Sequence, residues 1–324
     1  MKKQWIVGID IGGTKIAVSL GTRRGKVLGK TVFASGKSKK APELFNRIQF
    51  SISELLSEYG LKKQHLLGIG VAVPGAIEPR RQMVLKSPNS PCWEHFQIRP
   101  ALVRKFRVPV VVENDANAAA LGESYFGLGR NIDHFLYVTV STGIGSGIVS
   151  NGRLVRGASG TAGEIGHTTI VKGGLPCHCG KRGCLEAYAS GTAIGEYVRQ
   201  AIKKGARSAY FKKIKLKDIT GQLVSQAARA GDHLAIQARA VAADFLGIGL
   251  ANVINLLNPK RIILGGGVME HVDHFWSPMM RAVRREAWPV AFQSCKFVCS
   301  KLGKNVGDLG AMALVLEAQN KNKN

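Results

Sequence analysis

The sequence predicts an α/β fold built from two similar halves. An apolar strand, a glycine-rich turn and a second apolar strand open the chain at residue 5, and the same device recurs at residue 135. Apolar runs of strand length alternate with segments of helical period along the chain. At 324 residues and 45% hydrophobic content, there is core material for one large domain or two ordinary ones.

Residues 5–20, WIVGIDIGGTKIAVSL, read as two strands around a tight Gly12-Gly13-Thr14 turn. The glycines permit the positive backbone angles that a hairpin needs. This is not a Walker loop, which ends Gly-Lys-Ser/Thr and runs into a helix. Bare amides with Thr14 can still cradle a phosphate as a nest. Asp10, at the strand end, can hold a hydrated magnesium ion. A merely structural hairpin is the competing reading. A third strand follows around Lys26–Phe33, then a helix from about Pro42 to Tyr59 with Leu44, Phe45, Ile48, Ile52, Leu55 and Leu56 on one face. The buried strand Leu66–Val73 ends in Pro74-Gly75. Residues 76–109 are polar and loop-rich, with a short helix near Arg99–Phe106.

Strand Val108–Val112 delivers Glu113-Asn114-Asp115 at its carboxyl end, before the helical run ANAAALGESYFG. Ligands of open α/β sheets lie beyond the carboxyl ends of strands. An Asn-Asp pair there can bind a hydroxyl and take its proton; alternatively, Asp115 only caps the helix. Residues 135–157, FLYVTVSTGIGSGIVSNGRLVRG, repeat the opening device, and two such turns facing each other would hold two ends of one polyphosphate. Helices follow at 192–204, 216–230 and about 234–257. Strand Arg261–Leu264 meets Gly265-Gly266-Gly267, a turn that opens a helix and suits a nucleotide's base or ribose. A strand at 296–299 and a helix at Gly310–Glu317 close the fold, and the tail QNKNKN is expected to be disordered.

Between Gly163 and Gly191 stand His167, Cys177, Cys179 and Cys184, one imidazole and three thiols within a short loop. Cys3His is an ordinary donor set for a closed tetrahedral zinc site, and C-x-C-x4-C beside a histidine seldom arises by chance. Gly180 and Gly183 let the loop turn back so that three sulfurs converge. Glu164 and Glu186 flank the set, so a zinc clip would fix two carboxylates and an imidazole in one small space. A lone zinc ribbon, or free cysteines in a loop, is the alternative. Cys92, Cys295 and Cys299 read as small buried apolar residues, in a reducing compartment.

The start, MKKQWIVGIDIGG, lacks the apolar core and cleavage site of a secretion signal. No run approaches the eighteen apolar residues of a membrane span, so a cytoplasmic protein without membrane partners is expected. Lys and Arg number 46 against 21 Asp and Glu, a net charge of +25 that attracts anions. The basic residues are scattered, without aromatic interleaving or a nucleic-acid module. A generally basic surface accounts for them, with a zinc-containing nucleic-acid binder as a remote alternative.

With these residues in hand, the chain resembles the ROK family of bacterial sugar kinases and repressors, over nearly its whole length. IDIGGTK at 9–15 resembles the family's first phosphate motif and STGIGSG at 141–147 its second. E-x-G-H at 164–167 with C-x-C-G-x2-G-C-x-E at 177–186 resembles its zinc signature without a gap. The resemblance implies a two-lobed actin-like ATPase (ribonuclease H-like) fold with a structural zinc loop. It implies a smaller domain of residues 1–115 plus 306–324, and a larger one of 116–305 carrying the zinc. It implies transfer of the ATP γ-phosphoryl to a sugar hydroxyl, with magnesium, and closure of the lobes that excludes water. Asp115 would be the general base. Pro74, Gly75, Asn89, Asn114, Asp115, Glu164, His167 and Glu186 would hold the sugar. Asp10, Gly12, Gly13, Thr14, Lys15, Thr142, Gly143 and Gly265–Gly267 would face ATP. His167 would also ligate Zn2+ with the three cysteines. CLEAYASG resembles the glucokinase branch, so glucose is preferred over fructose, mannose, N-acetylglucosamine or N-acetylmannosamine. Related kinases are usually dimers, so the resemblance implies a homodimer. The repressors carry a helix-turn-helix segment before the first phosphate motif, and none is expected where that motif begins at residue 9.

Overall fold

A computed structural model describes residues 4–36, 40–87 and 90–321. The opening device is β1 (Trp5–Ile11), β2 (Lys15–Thr22) and β3 (Val27–Ala34), followed by α1 (Ala41–Glu58). The chain continues through β4 (Leu66–Val73), β5 (Ala76–Glu78), β6 (Met83–Lys86), α2 (Ile98–Phe106), β7 (Val110–Asn114) and α3 (Asp115–Phe126). The repeat is β8 (Phe135–Val140), β9 (Ile144–Ser150) and β10 (Arg153–Val155). Helices α4 (Glu186–Ala189), α5 (Gly191–Lys203), α6 (Gly221–Arg229) and α7 (His233–Leu257) lead to β11 (Arg261–Gly265). Then come α8 (Trp276–Glu286), α9 (Pro289–Ser294), β12 (Lys296–Cys299) and α10 (Val306–Lys321).

The two five-stranded sheets have the orders β3-β2-β1-β4-β7 and β10-β9-β8-β11-β12. These are one pattern used twice: the three strands of the opening device, then two strands that arrive later. β4 runs parallel to β1 and to β7, and β11 runs parallel to β8 and to β12. This is the internal duplication that the repeated strand–turn–strand suggested, and it agrees with the fold that the resemblance implied.

The chain divides into two compact units, residues 1–133, 147–162 and 301–324, and residues 134–146 and 163–300. The boundary expected at residue 115 falls at the start of α3, whose whole length belongs to the first unit. In that unit α1 lays Leu44, Phe45, Ile48, Ile52 and Leu55 against the sheet's apolar strands, all buried. Met312, Val315 and Leu316 of α10 pack with Ile6 and Leu67 in a second cluster. In the second unit, α7 is long and apolar enough to span a membrane by length and composition, which the expectation of no such run overlooked. Half of that stretch is buried, it packs on α8 and α6, and it carries the buried Arg239, as a core helix does.

Several local expectations are corrected. The stretch 76–109 contains a two-stranded hairpin, β5 with β6, not only loop. The 216–230 helix begins at Gly221, where Thr220 accepts the Leu223 amide as its cap. Gly267 opens no helix; turns follow, and α8 starts at Trp276. α10 is longer than foreseen and includes Gln319–Lys321 of the tail, while 322–324 lie outside the described residues. Cys92, Cys295 and Cys299 are free and only half-buried.

Candidate functional site

In the first unit, β4 and β7 run parallel with Val73 opposite Asn114, which brings Pro74-Gly75 beside Asn114-Asp115. The Asn114 side chain accepts from the amides of Ala116 and Asn117 (2.9 and 3.1 Å) and donates to the Gly75 carbonyl (3.1 Å). Asn114 is therefore the cap of α3. Asp115 stands one residue inside the helix, half-buried, with its Oδ1 sharing the Ala116 amide at 2.9 Å. Gly75 has φ +111, and a side chain there would strike the Lys86 backbone. Asn89 lies outside the described residues.

Asp10 is the penultimate residue of β1, opposite Ala72 of β4. Its carboxyl is pushed up from 3.8 to about 6, first by burial and then by the negative charges of Asp115 and Asp308, with Lys30 and Lys15 opposing. Asp308, in the first turn of α10, went unforeseen. It is 1% exposed, its Oδ2 meets Lys30 Nζ at 2.5 Å, and its Oδ1 has no hydrogen-bond partner. Sequence offered no signal for it, because Gly-Asp-Leu-Gly near the end of a chain reads as an ordinary helix start. Gly307, just before it, leaves room for the Asp10 carboxylate, which a side chain there would strike. Buried Asp10, with the Asp115 and Asp308 charges close enough to raise its pKa, fits a divalent cation such as Mg2+, which would relieve that repulsion. Gly13, Thr14 and Lys15 are exposed beyond Asp10. Neither Gly12 nor Gly13 has the positive backbone angle expected of the hairpin. Gly12 matters for closeness instead: its amide donates to the Lys15 carbonyl at 2.9 Å, and a Cβ there would stand 3.1 Å from that oxygen.

In the second unit, the ligand atoms of His167, Cys177, Cys179 and Cys184 all lie within 4.8 Å of one another. Cys179 Sγ is 3.6 Å from Cys184 Sγ, and Cys177 Sγ is 3.8 Å from His167 Nδ1. Tetrahedral zinc with bonds of about 2.0–2.3 Å requires ligand separations of this size, so the four residues fit zinc. Gly180 and Gly183 turn the loop with φ +90 and +81, and Thr169 pairs with Cys184 across it. Burial pushes the Cys177 thiol up to about 12, and a bound cation reverses that by holding the thiolate outright. Among the described residues no other group of His, Cys and carboxylates converges in this way.

Glu186 begins α4 and reaches the glycine turn between β8 and β9, where its Oε2 accepts the Ile144 amide at 2.9 Å. A side chain on Gly143 would collide with that carboxylate. Thr142 is exposed, and its carbonyl accepts from Thr192 Oγ1 at 2.8 Å. Glu164, an exposed residue, has its carboxyl pushed up by burial first, with His167 opposing and Glu186 adding to the rise. Gly265 and Gly266 are shut against Tyr137 and the Val140 backbone, whereas Gly267 faces open space.

A profile of the ROK family matches residues 6–318. The chain is 35% identical to the glucokinase of Halalkalibacterium halodurans, over 99% of this chain and 97% of that one. It is 34% identical to the xylose repressor of Caldicellulosiruptor bescii, over 96% of this chain and 78% of the repressor. Among solved structures, it matches a ROK family glucokinase from Streptomyces griseus in complex with glucose and AMPPNP, with TM-score 0.81, 32% identity, and 96% and 98% of the two chains covered. The profile spans both glycine turns, the Asn-Asp pair and the Cys3His loop, and the chain belongs to the ROK family.

Proposed function

We propose that this protein is a glucokinase-type sugar kinase, transferring the γ-phosphoryl of ATP to the 6-hydroxyl of glucose. The observation that carries the reading is the end of β7. Asn114 takes the cap of α3, so the capping role that competed for Asp115 is filled by its neighbour. Asp115 accepts the hydroxyl proton as the sugar oxygen attacks phosphorus. Phosphoryl transfer has a loose transition state with little covalent chemistry for the protein to do, so a positioned carboxylate suffices. Asp10 would hold Mg2+, which supplies charge neutralisation at the phosphates. Thr14 and Lys15, exposed on the β1–β2 turn, bind phosphate, and the Gly265–Gly267 turn accepts adenosine. Glu164, His167 and Glu186 bind ring hydroxyls. The zinc is structural: four protein ligands close the tetrahedron, and with Nδ1 of His167 facing Cys177 its Nε2 is the nitrogen that meets the sugar. Asn89, Thr142 and Gly143 keep their expected places in this reading, as do a homodimer and a cytoplasmic setting.

The glucokinase relatives favour glucose, and the bound glucose and AMPPNP of the Streptomyces griseus structure support the pair of substrates. The test is phosphorylation of glucose, fructose, mannose, N-acetylglucosamine, N-acetylmannosamine and xylose, with ATP and then polyphosphate as donor. Glucose with ATP is expected to give the highest kcat/KM. Preference for another sugar would move the reading to another ROK kinase. The repressor relative and the net charge of +25 favour a second reading, a sugar-responsive nucleic-acid binder. No phosphorylation of any sugar, together with a gel shift that survives physiological salt, would establish it.

A further inference from the structure

We propose that Glu113 and Arg156 form a positioning pair that sets the direction of the Asn114–Asp115 junction. The inference rests on the reading of Asp115 as the base. Glu113 is the residue before the Asn-Asp pair and is 5% exposed. Its Oε1 accepts from the Asn114 backbone amide at 3.0 Å and from Asn117 Nδ2 at 3.2 Å. Its Oε2 accepts from Arg156 Nε at 2.6 Å. One carboxylate thus grips both the peptide that leads into the Asn114–Asp115 pair and the first turn of α3 behind it.

Three features make this more than a buried ion pair. First, Asn117 is 1% exposed and its Oδ1 has no hydrogen-bond partner, so its amide nitrogen is spent on Glu113 while its oxygen goes unsatisfied. Native structures tolerate few such groups, and each calls for a reason. Second, the Asn114 side chain is engaged on the other side, with the α3 amides and the Gly75 carbonyl. With its amide held by Glu113 as well, the junction is fixed from both faces. Third, Arg156 comes from the segment after β10, far along the chain, and lines a cleft of about 240 Å³ with Gln82, Val112, Glu113, Gly160 and Glu317. Gln82 Oε1 accepts the Val112 amide there, so the last residues of β7 are braced by side chains before the strand ends. A base must reach the proton it takes within hydrogen-bond distance, so a small rotation of this junction would degrade transfer without removing any group that touches substrate.

The open cleft makes the pair testable by rescue. Arg156→Ala, Arg156→Lys and Glu113→Gln are to be compared with wild type for kcat, KM of glucose, KM of MgATP, melting temperature and the ¹⁵N amide resonances of Asn114, Asp115 and Asn117. In Arg156→Ala we expect kcat to fall at least about tenfold, with both KM values within about twofold, as misplacement of a base demands. The three amides should shift, and guanidinium at millimolar concentration should restore both kcat and the resonances. Arg156→Lys should rescue in part, because an ammonium keeps the charge without the planar fork. A loss of kcat that merely follows the melting temperature, or a loss expressed in KM alone, would overturn the proposal. If Asp115→Asn keeps its turnover, the base reading fails by itself. The pair is then decided by the resonances: unmoved amides in Arg156→Ala overturn it, and amides that shift and return with guanidinium uphold it.

Discussion

The turn between β1 and β2 and the turn between β8 and β9 are built alike, IDIGGTK and STGIGSG, and they end in opposite states. In the first, Gly13, Thr14 and Lys15 are exposed beyond a carboxylate, Asp10, that sits at the end of the preceding strand. In the second, a carboxylate 42 residues further on, Glu186, has come to the turn and taken the Ile144 amide. A glycine turn supplies amides, but a segment from elsewhere decides whether they face an incoming phosphate or a resident carboxylate. The first turn presents exposed residues beside a buried carboxylate, the arrangement the proposed phosphate site needs, whereas the second is tied through Glu186 to the Cys3His loop two residues away. Mutation of each side should therefore fail in a different way.

The largest effect belongs to the second turn's anchor. Cys184→Ala should release zinc, lower the melting temperature and leave sugar phosphorylation weak or absent. Structural zinc in small sites contributes an apparent ~10–16 kcal/mol of binding energy that doubles as folding energy. Metal analysis with calorimetry checks this, and a zinc-free protein of full activity and unchanged melting would separate Glu186 from the metal. Next comes Asp115→Asn on the first turn's side, where turnover should drop by about 10² to 10⁴ while glucose binding by titration calorimetry is retained. Retention of more than about a tenth of turnover would remove Asp115 as the base.

A smaller effect is the pH dependence that Asp10 confers on the first turn's side. The Asp10 carboxyl rises to about 6 in the fold from 3.8, so the folded state holds the proton more tightly than the unfolded chain. The sign follows: the ligand-free protein should lose stability as pH rises from about 4 to about 6, by about 3 kcal/mol from this group. Denaturant titrations of wild type and Asp10→Asn across that range should converge at low pH and part at neutral pH, with the variant the more stable. Parallel curves would mean that Asp10 is not crowded by its neighbours. The same variant should need more magnesium for turnover.

The finest test pits glycine against glycine. Gly143→Ala places a methyl against the Glu186 carboxylate and should raise KM for glucose about tenfold, since overpacking costs about 1–3 kcal/mol. Gly12→Ala meets only the Lys15 carbonyl at 3.1 Å and should raise KM for MgATP a few-fold, leaving glucose unchanged. Equal effects on both substrates from both variants would erase the distinction between the turns.

Much of this was legible in the chain itself. Period-two and period-3.6 apolar patterns are local, so β1, β2, α1, β4, β7 and β12 stood out, and the repeated strand–turn–strand announced two similar halves, whose shared strand order the structure supplied. The Cys3His spacing was legible because only a few donor sets close around a metal. What local pattern could not contain was the partner of each group. That Asn114 rather than Asp115 caps α3 depends on backbone angles at one junction. That Glu186 reaches Ile144, that Asp308 and Lys30 crowd Asp10, and that Arg156 grips Glu113 depends on distant segments brought together within each unit. Helix α8 carries Met279, Ala282 and Val283 at helical spacing and buries all three, so its pattern was present in the chain, whereas α9, six residues from Pro289 with none buried, is too short for a period to show. Sequence determined which donors this protein owns and in what order its strands are made. Tertiary structure alone decided which of those donors meet, because hydrogen bonds and charge coupling act over a few ångströms in space, at whatever separation along the chain.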